Sequence, residues 1–129
     1  MNLSIVTPKG TSYQGIVDYI VVDGDNGQLA ILKNHVPIVV SIRLGYVKRV
    51  SGNEEIYHLI SGGLLEFSQD TATVIAQETV EGKTLEEAKQ ALQRLRDTQK
   101  ETNRKGAMDF SEMERELALN LKEIQASKL

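Results

Sequence analysis

The sequence predicts an α+β chain in which an N-terminal antiparallel sandwich or barrel of short strands precedes a C-terminal antiparallel two-helix hairpin. Three observations predict it. Up to Gln77 the chain is a series of β-branched or alternating runs separated by Gly, Pro, Asn and Asp. After Gly82 the apolar period changes to steps of three and four residues. Charge density rises at the same place: residues 1–82 carry five Lys or Arg against nine Asp or Glu, and residues 83–129 carry ten against nine. Dense charge of both signs belongs to exposed helices laced with ion pairs, not to a nucleic-acid surface. The expected domains are 1–83 and 84–129.

Leu3 to Thr7 alternates and is closed by Pro8-Lys9-Gly10, which gives a strand and its turn. Tyr13 to Gly15 can form a short strand, and the β-branched run Val17 to Val22 ends at Gly24-Asp25-Asn26-Gly27, a tight reversal. Gln28 to Leu32 places Leu29 and Ile31 on one face and Ala30 and Leu32 on the other. Two apolar faces imply burial on both, or burial on one and a partner on the other. Pro37 has no N–H for a ladder and holds Val36 extended, so Asn34 to Pro37 should be a corner. Ile38 to Ile42 and Gly45 to Val50 follow, and Ser51-Gly52-Asn53 folds a hairpin onto Glu55 to Ser61. Gly62-Gly63 permits a bend, Leu64 to Phe67 continues, Ser68-Gln69-Asp70 turns, and Thr71 to Gln77 is the last strand.

Thr84-Leu85-Glu86-Glu87 has the form of a capping box, so a helix should start at Leu85. Leu85, Ala88, Leu92 and Leu95 make its apolar stripe. Asn103 to Met108, with Gly106, is the expected link to a second helix starting at Asp109 or Ser111, with the stripe Phe110, Met113, Leu117, Leu121 and Ile124. Burial of so few side chains barely exceeds the ordering cost of the residues that carry them. The hairpin should therefore depend on the sandwich or on another protein, and its docking is open to switching.

The residues exclude most catalytic classes. There are no cysteines, hence no thiol chemistry or Cys-based metal site. The segment Gly24 to Gly27 carries Asp25 and Asn26 where a phosphate cradle would want bare amides and a lysine. His35 and His58 have no ligand-spaced partners, and Ser12, Ser41 and Ser61 lie in no nucleophile-elbow setting. No catalytic residue and no metal ligand is expected, and Glu54-Glu55 reads as a solvated edge device. Arg94, Arg96, Lys100, Arg104 and Lys105 make the C-terminal half of the first helix basic, which suits the helix dipole or an acidic partner. The N-terminus MNLSIVTP has no signal-peptide pattern and no apolar run approaches roughly 18 residues. A soluble, intracellular protein without direct membrane insertion is expected.

The order GxxGQLAIL (Gly24 to Leu32), NHVP (Asn34 to Pro37) and SGGLLE (Ser61 to Glu66), followed by a helical hairpin, resembles the epsilon subunits of F-type ATP synthases of the bacterial type. The resemblance covers essentially the whole chain. It implies a sandwich of about ten strands and a C-terminal helix pair. It further implies a non-catalytic rotor subunit, peripheral on the cytoplasmic face of the cell membrane. Such a subunit clamps the gamma subunit to the c-ring, with Gln28, Leu29, Asn34, His35 and Pro37 at that interface. It also implies that the basic helices meet the catalytic alpha and beta subunits and restrain ATP hydrolysis. Some members bind regulatory ATP through an Ile/Leu-Asp-x-x-Arg-Ala segment. Here Leu85 matches and Arg96 is available, but Glu86, Lys89 and Gln90 replace Asp, Arg and Ala, and Leu119 and Glu123 stand where arginines are wanted. Lysine lacks the bidentate geometry of guanidinium, so ATP should bind in the millimolar range or not at all, and no other cofactor is expected. The rival reading is a free-standing β-sandwich binding module with the helices as a lid.

Overall fold

The computed structural model describes residues Met1–Asp109. Seven strands form one continuous sheet in the order β2-β1-β7-β6-β5-β3-β4. They are β1 (Asn2–Thr7), β2 (Gly10–Ile16), β3 (Tyr19–Gly24), β4 (Gly27–Ile31), β5 (Ile38–Ser51), β6 (Glu54–Ser68) and β7 (Thr71–Gly82), followed by α1 (Leu85–Asp109). All neighbours pair antiparallel except β1 with β7, which are parallel.

The count of about ten strands is corrected to seven because β5, β6 and β7 do not break where the hydrophobic pattern does. They run for 14, 15 and 12 residues. The register between β5 and β6 is the same on both sides of Arg43 and Gly62, and only that one pair drops out of the ladder. Gly62 takes φ +62, a left-handed conformation, at the same point. The inward phase of β5 accordingly changes from Val40 and Ile42 to Gly45 and Val47. A single ladder thus folds over and places its two halves on opposite sides of one core. That core holds Leu3, Ile5, Ile20, Val22, Ile31, Ile42, Val47, Ile60, Leu65, Phe67 and Val74, all at most 1 % exposed.

β3 starts at Tyr19, two residues later than the run Val17 to Val22 suggests. The Val17 amide donates to the Met1 carbonyl, the Asp18 amide to the Val50 carbonyl, and the Asp18 carboxylate accepts from the Gly52 amide. These bonds take Val17 and Asp18 out of the ladder. β4 buries Ile31 and half-buries Leu29, while Ala30 and Leu32 face outward, so of the two alternatives for this strand one face is covered and the other is open.

Half of the expected capping box forms. The Glu87 amide donates to Thr84 Oγ1 at 3.1 Å, and Glu87 Oε2 accepts from the Lys83 amide at 3.0 Å, one residue earlier than a box centred on Thr84 requires. Thr84→Ala should cost about 1 kcal/mol, read as a loss of helical ellipticity and a lower melting temperature. Leu85, Ala88 and Leu92 pack on Leu59, Tyr46, Tyr57 and Val80 of the sheet. The helix does not stop at Asn103–Met108: it continues through Gly106 to Asp109, correcting the expected link. A glycine inside a helix costs only about 1 kcal/mol against alanine, and Lys105, Ala107 and Met108 are good helix formers. The second helix and its stripe lie outside the described residues. Chain contacts divide the protein into Met1–Gln93 and Arg94–Leu129, so the first turns of α1 belong with the sheet. Among the described residues, no helix is long and apolar enough to cross a membrane.

Candidate functional site

The outward surface of the sheet has two halves with different fates. In one half, Tyr46, Leu59 and Val80 form an outward row across β5, β6 and β7, and α1 covers it. In the other half the inward row Val40–Leu65–Val74–Ile5 is buried. The adjacent outward row there is Ser41–Leu64–Ile75–Val6, with Val39–Glu66–Thr73–Ser4 beside it. Val39 is 62 %, Leu64 43 % and Ile75 61 % exposed. Strand alternation requires only every second residue to be apolar. Leu64 and Ile75, cross-strand neighbours, are therefore surplus to the core and form a patch that nothing in the chain's described part covers.

The expected interface residues sit at the β3–β4 turn and the corner before β5. Asp25 and Asn26 are the two turn residues between β3 and β4, and Asp25 ties the turn down: its amide donates to the Ser41 carbonyl at 2.9 Å and its carboxylate accepts from the Arg43 amide at 2.8 Å. The hydrogen bond from the Arg43 backbone, then that from the Ser41 side chain, holds the Asp25 carboxyl below the usual carboxylate range. Gly24, Asp25, Arg43 and Leu44 line an open groove of about 420 Å³. The Gln28 side-chain amide donates to the Tyr46 hydroxyl, which joins the turn to the helix-covered half of the sheet. Leu29 is half-buried against the core.

At the corner, Asn34 has φ 69, a left-handed conformation that asparagine tolerates better than most residues. The His35 amide donates to the Leu32 carbonyl at 3.1 Å, and its ring lies edge-on to Phe67 with centroids 6.1 Å apart. His35 Nδ1 is 2.6 Å from the Val36 carbonyl, which makes it the protonated nitrogen. Val36 and Pro37 are exposed. At the possible ATP segment, Leu85 is half-buried against the sheet, while Glu86, Lys89 and Arg96 are exposed. Leu85 is thereby committed to packing.

The sequence reading missed two groups. The Val39, Leu64 and Ile75 patch had a signal, since Leu64-Leu65 and Val74-Ile75 put an aliphatic residue on both faces. The second group is buried. His58, 1 % exposed, accepts at Nε2 from Arg49 Nε at 3.0 Å. Arg49 never gives up its proton, so the imidazole is neutral with its own proton on Nδ1. The guanidinium lies 4.2 Å from the Tyr13 ring centroid and bonds Glu54 at 2.9 Å. Nδ1 has no hydrogen-bond partner, with Glu81 Oε2 at 3.9 Å. Burial, then the Arg49 charge, pushes the His58 pKa down to about 4. The unfolded chain, with an ordinary histidine pKa, binds this proton more tightly. Stability is thus fully present above about pH 6.5 and falls as the pH drops toward 4, by about 3 kcal/mol in the limit. Urea melts at pH 7 and pH 5 should show the decline, and His58→Gln should flatten it.

Residues 1–82 match the family ATP synthase, Delta/Epsilon chain, beta-sandwich domain. The chain is similar to the ATP synthase epsilon chain of Acidithiobacillus ferridurans, 33% identical over 89 residues, spanning 69% of this chain and 63% of that one. It is also similar to the ATP synthase epsilon chain of Janthinobacterium sp. (strain Marseille), 28% identical over 128 residues, 98% of this chain and 91% of the relative. Among solved structures, a chain of the Euglena gracilis mitochondrial ATP synthase (OSCP/F1/c-ring) shares the fold with TM-score 0.57 at 20% identity, covering 61% of this chain and 51% of that one. A chain of the Tetrahymena thermophila mitochondrial ATP synthase central stalk/c-ring does so with TM-score 0.51 at 16% identity, covering 62% and 65%.

Proposed function

The chain belongs to the ATP synthase delta/epsilon family, and from that premise we propose that it is a non-catalytic central-stalk subunit that clamps the gamma shaft to the c-ring. The observation that carries this reading is the uncovered apolar row Leu64–Ile75 with Val39 beside it. A stiff sheet with one outward half already covered by its own helix and the other left apolar suits a permanent protein partner. Gamma is assigned to that face. The c-ring is assigned to the turn and corner, where Gln28, Asn34, His35 and Pro37 offer polar and rigid surface, with Leu29 anchoring the strand beneath. Ion flow through the ring would then turn the shaft, and the chemistry would take place on the alpha and beta subunits. The location is peripheral, on the cytoplasmic face of the cell membrane.

The test is purification of the tagged full chain from solubilised membranes. The other ATP synthase subunits should accompany it in stable proportion; recovery of the chain alone would favour a free-standing binding module.

Regulation belongs to the same reading. α1 is held to the sheet through Leu85, Ala88 and Leu92, which contribute roughly 4–5 kcal/mol before ordering costs. A partner that binds the helix elsewhere can match that, and the basic residues Arg94 and Arg96 suit the acidic surface of the catalytic subunits. Truncation after Gln93 retains the residues that cover Leu59 and should raise ATP hydrolysis by the assembled complex severalfold. Unchanged hydrolysis would show that the helices do not restrain it. Calorimetry of the full chain with ATP should give millimolar binding or none, because Leu85 is turned to the sheet and Lys89 stands in place of arginine.

A further inference from the structure

We propose that Tyr13, Arg49 and His58 form an acid-sensitive latch that holds the edge strand β2 to the far layer of the sandwich, and that protonation of His58 opens it. β2 is the first strand of the sheet and has only β1 as a hydrogen-bonded neighbour. Gly10, Thr11, Ser12, Gln14 and Ile16 are exposed, so Tyr13 is its one large inward side chain. The Tyr13 ring lies 5.3 Å from the His58 ring, and the Arg49 guanidinium rests on it. Since β5 and β6 are not neighbours of β2 in the ladder, these contacts cross the interior. With the bond that Ser51 Oγ donates to the Ile16 carbonyl at 3.4 Å at the end of the strand, they fasten this edge besides β1.

The latch holds only while His58 is an acceptor. Protonated, it would present an N–H to the Arg49 N–H across 3.0 Å, donor against donor and cation against cation. The groups facing this imidazole are Arg49 from β5, Tyr13 from β2 and Glu81 from β7, with Glu54 of β6 neutralising Arg49 from outside. Glu54 is already engaged by Arg49. Glu81, 3.9 Å from Nδ1, is the group that gains, because an imidazolium bonds it where the neutral ring leaves Nδ1–H unpaired. Acid therefore moves the imidazole's allegiance from Arg49 to Glu81, and Arg49 no longer pins Tyr13.

The experiment is residue-resolved amide hydrogen exchange on the full chain at pH 7 and pH 5, corrected for intrinsic exchange rates. Opening of the β2 amides should increase on the order of 20-fold at pH 5 by a sub-global event that low urea leaves unchanged, whereas Leu65 and Val74 in the central strands open only with the whole sandwich, with the full urea dependence. His58→Gln keeps an acceptor for Arg49 and cannot titrate, so its β2 opening should be the same at both pH values. An equal acid response in H58Q, or unchanged β2 protection in the wild type, overturns the latch. If H58Q does not fold, the wild-type Arg49 Nε–H decides. It should lose protection together with the β2 amides, and β2 opening while that proton stays protected refutes the proposal.

Discussion

Gly45→Ala is expected to destabilise the sandwich by at least about 3 kcal/mol and Gly45→Val to prevent folding. A Cβ at Gly45 would lie 1.9 Å from the Asp23 carbonyl oxygen, with Ile42 Cγ2 at 3.0 Å. The first of these atoms is backbone in β3, hydrogen-bonded alongside β5 through Asp23↔Tyr46, so it has no rotamer by which to escape. Relief requires β3 to move away from β5, which would also shift the Gly24–Gly27 turn and its tie from Asp25 to Ser41 and Arg43. A melt of Gly45→Ala should therefore show a loss of about 15 °C. Ala30→Ser, on the exposed face of β4, should leave the melting temperature within error. Equal melting temperatures for wild type and Gly45→Ala would mean that the close approach of β3 and β5 is not built into the fold.

Gly45 also shows where the sequence was legible and where it was not. The positions at which the apolar pattern breaks, Arg43-Leu44 and Gly62-Gly63, are the places where the sheet bends. The pattern reports which face of a residue is buried. It does not report whether the ladder continues, and here the ladder persists while the buried face changes. The helix start was readable because a capping box is local: Thr84, Glu87 and the stripe Leu85, Ala88, Leu92 lie within nine residues. Its continuation was misread at Gly106, where one glycine's cost is smaller than the propensity of its neighbours. The Tyr13, Arg49, His58 cluster had no signal at all, because three strands contribute to it across the interior, β2 distant in sequence from β5 and β6. The residues at the turn and corner, Gln28 to Pro37, follow from the resemblance alone, because neither period nor composition assigns a role to a polar turn. The outward row of Leu64 and Ile75 could have been read from alternation alone, had a second apolar face been weighed as surface rather than as core.

That row gives the sharpest separation of assembly from folding. Leu64→Lys with Ile75→Lys places two charges on an outward face where the free chain already exposes both side chains. The folded subunit should lose no more than about 1 kcal/mol, as for ordinary surface substitutions. Buried against an apolar partner, the same charges lose their water without gaining a counter-ion. Hot-spot truncations alone cost 2 kcal/mol or more, so the double variant should bind the rest of the complex at least about a hundredfold more weakly. Leu59→Lys is the contrasting case, since Leu59 is 6 % exposed on the other outward half, beneath α1. It should damage the subunit itself, by several kcal/mol, before assembly is reached. The measurements are a urea melt of each purified variant and quantitative recovery of partner subunits from solubilised membranes. A Leu64→Lys, Ile75→Lys chain that folds normally and still brings down the complex at wild-type yield would exclude this face as the gamma-binding surface and return the interface to the turn and corner alone.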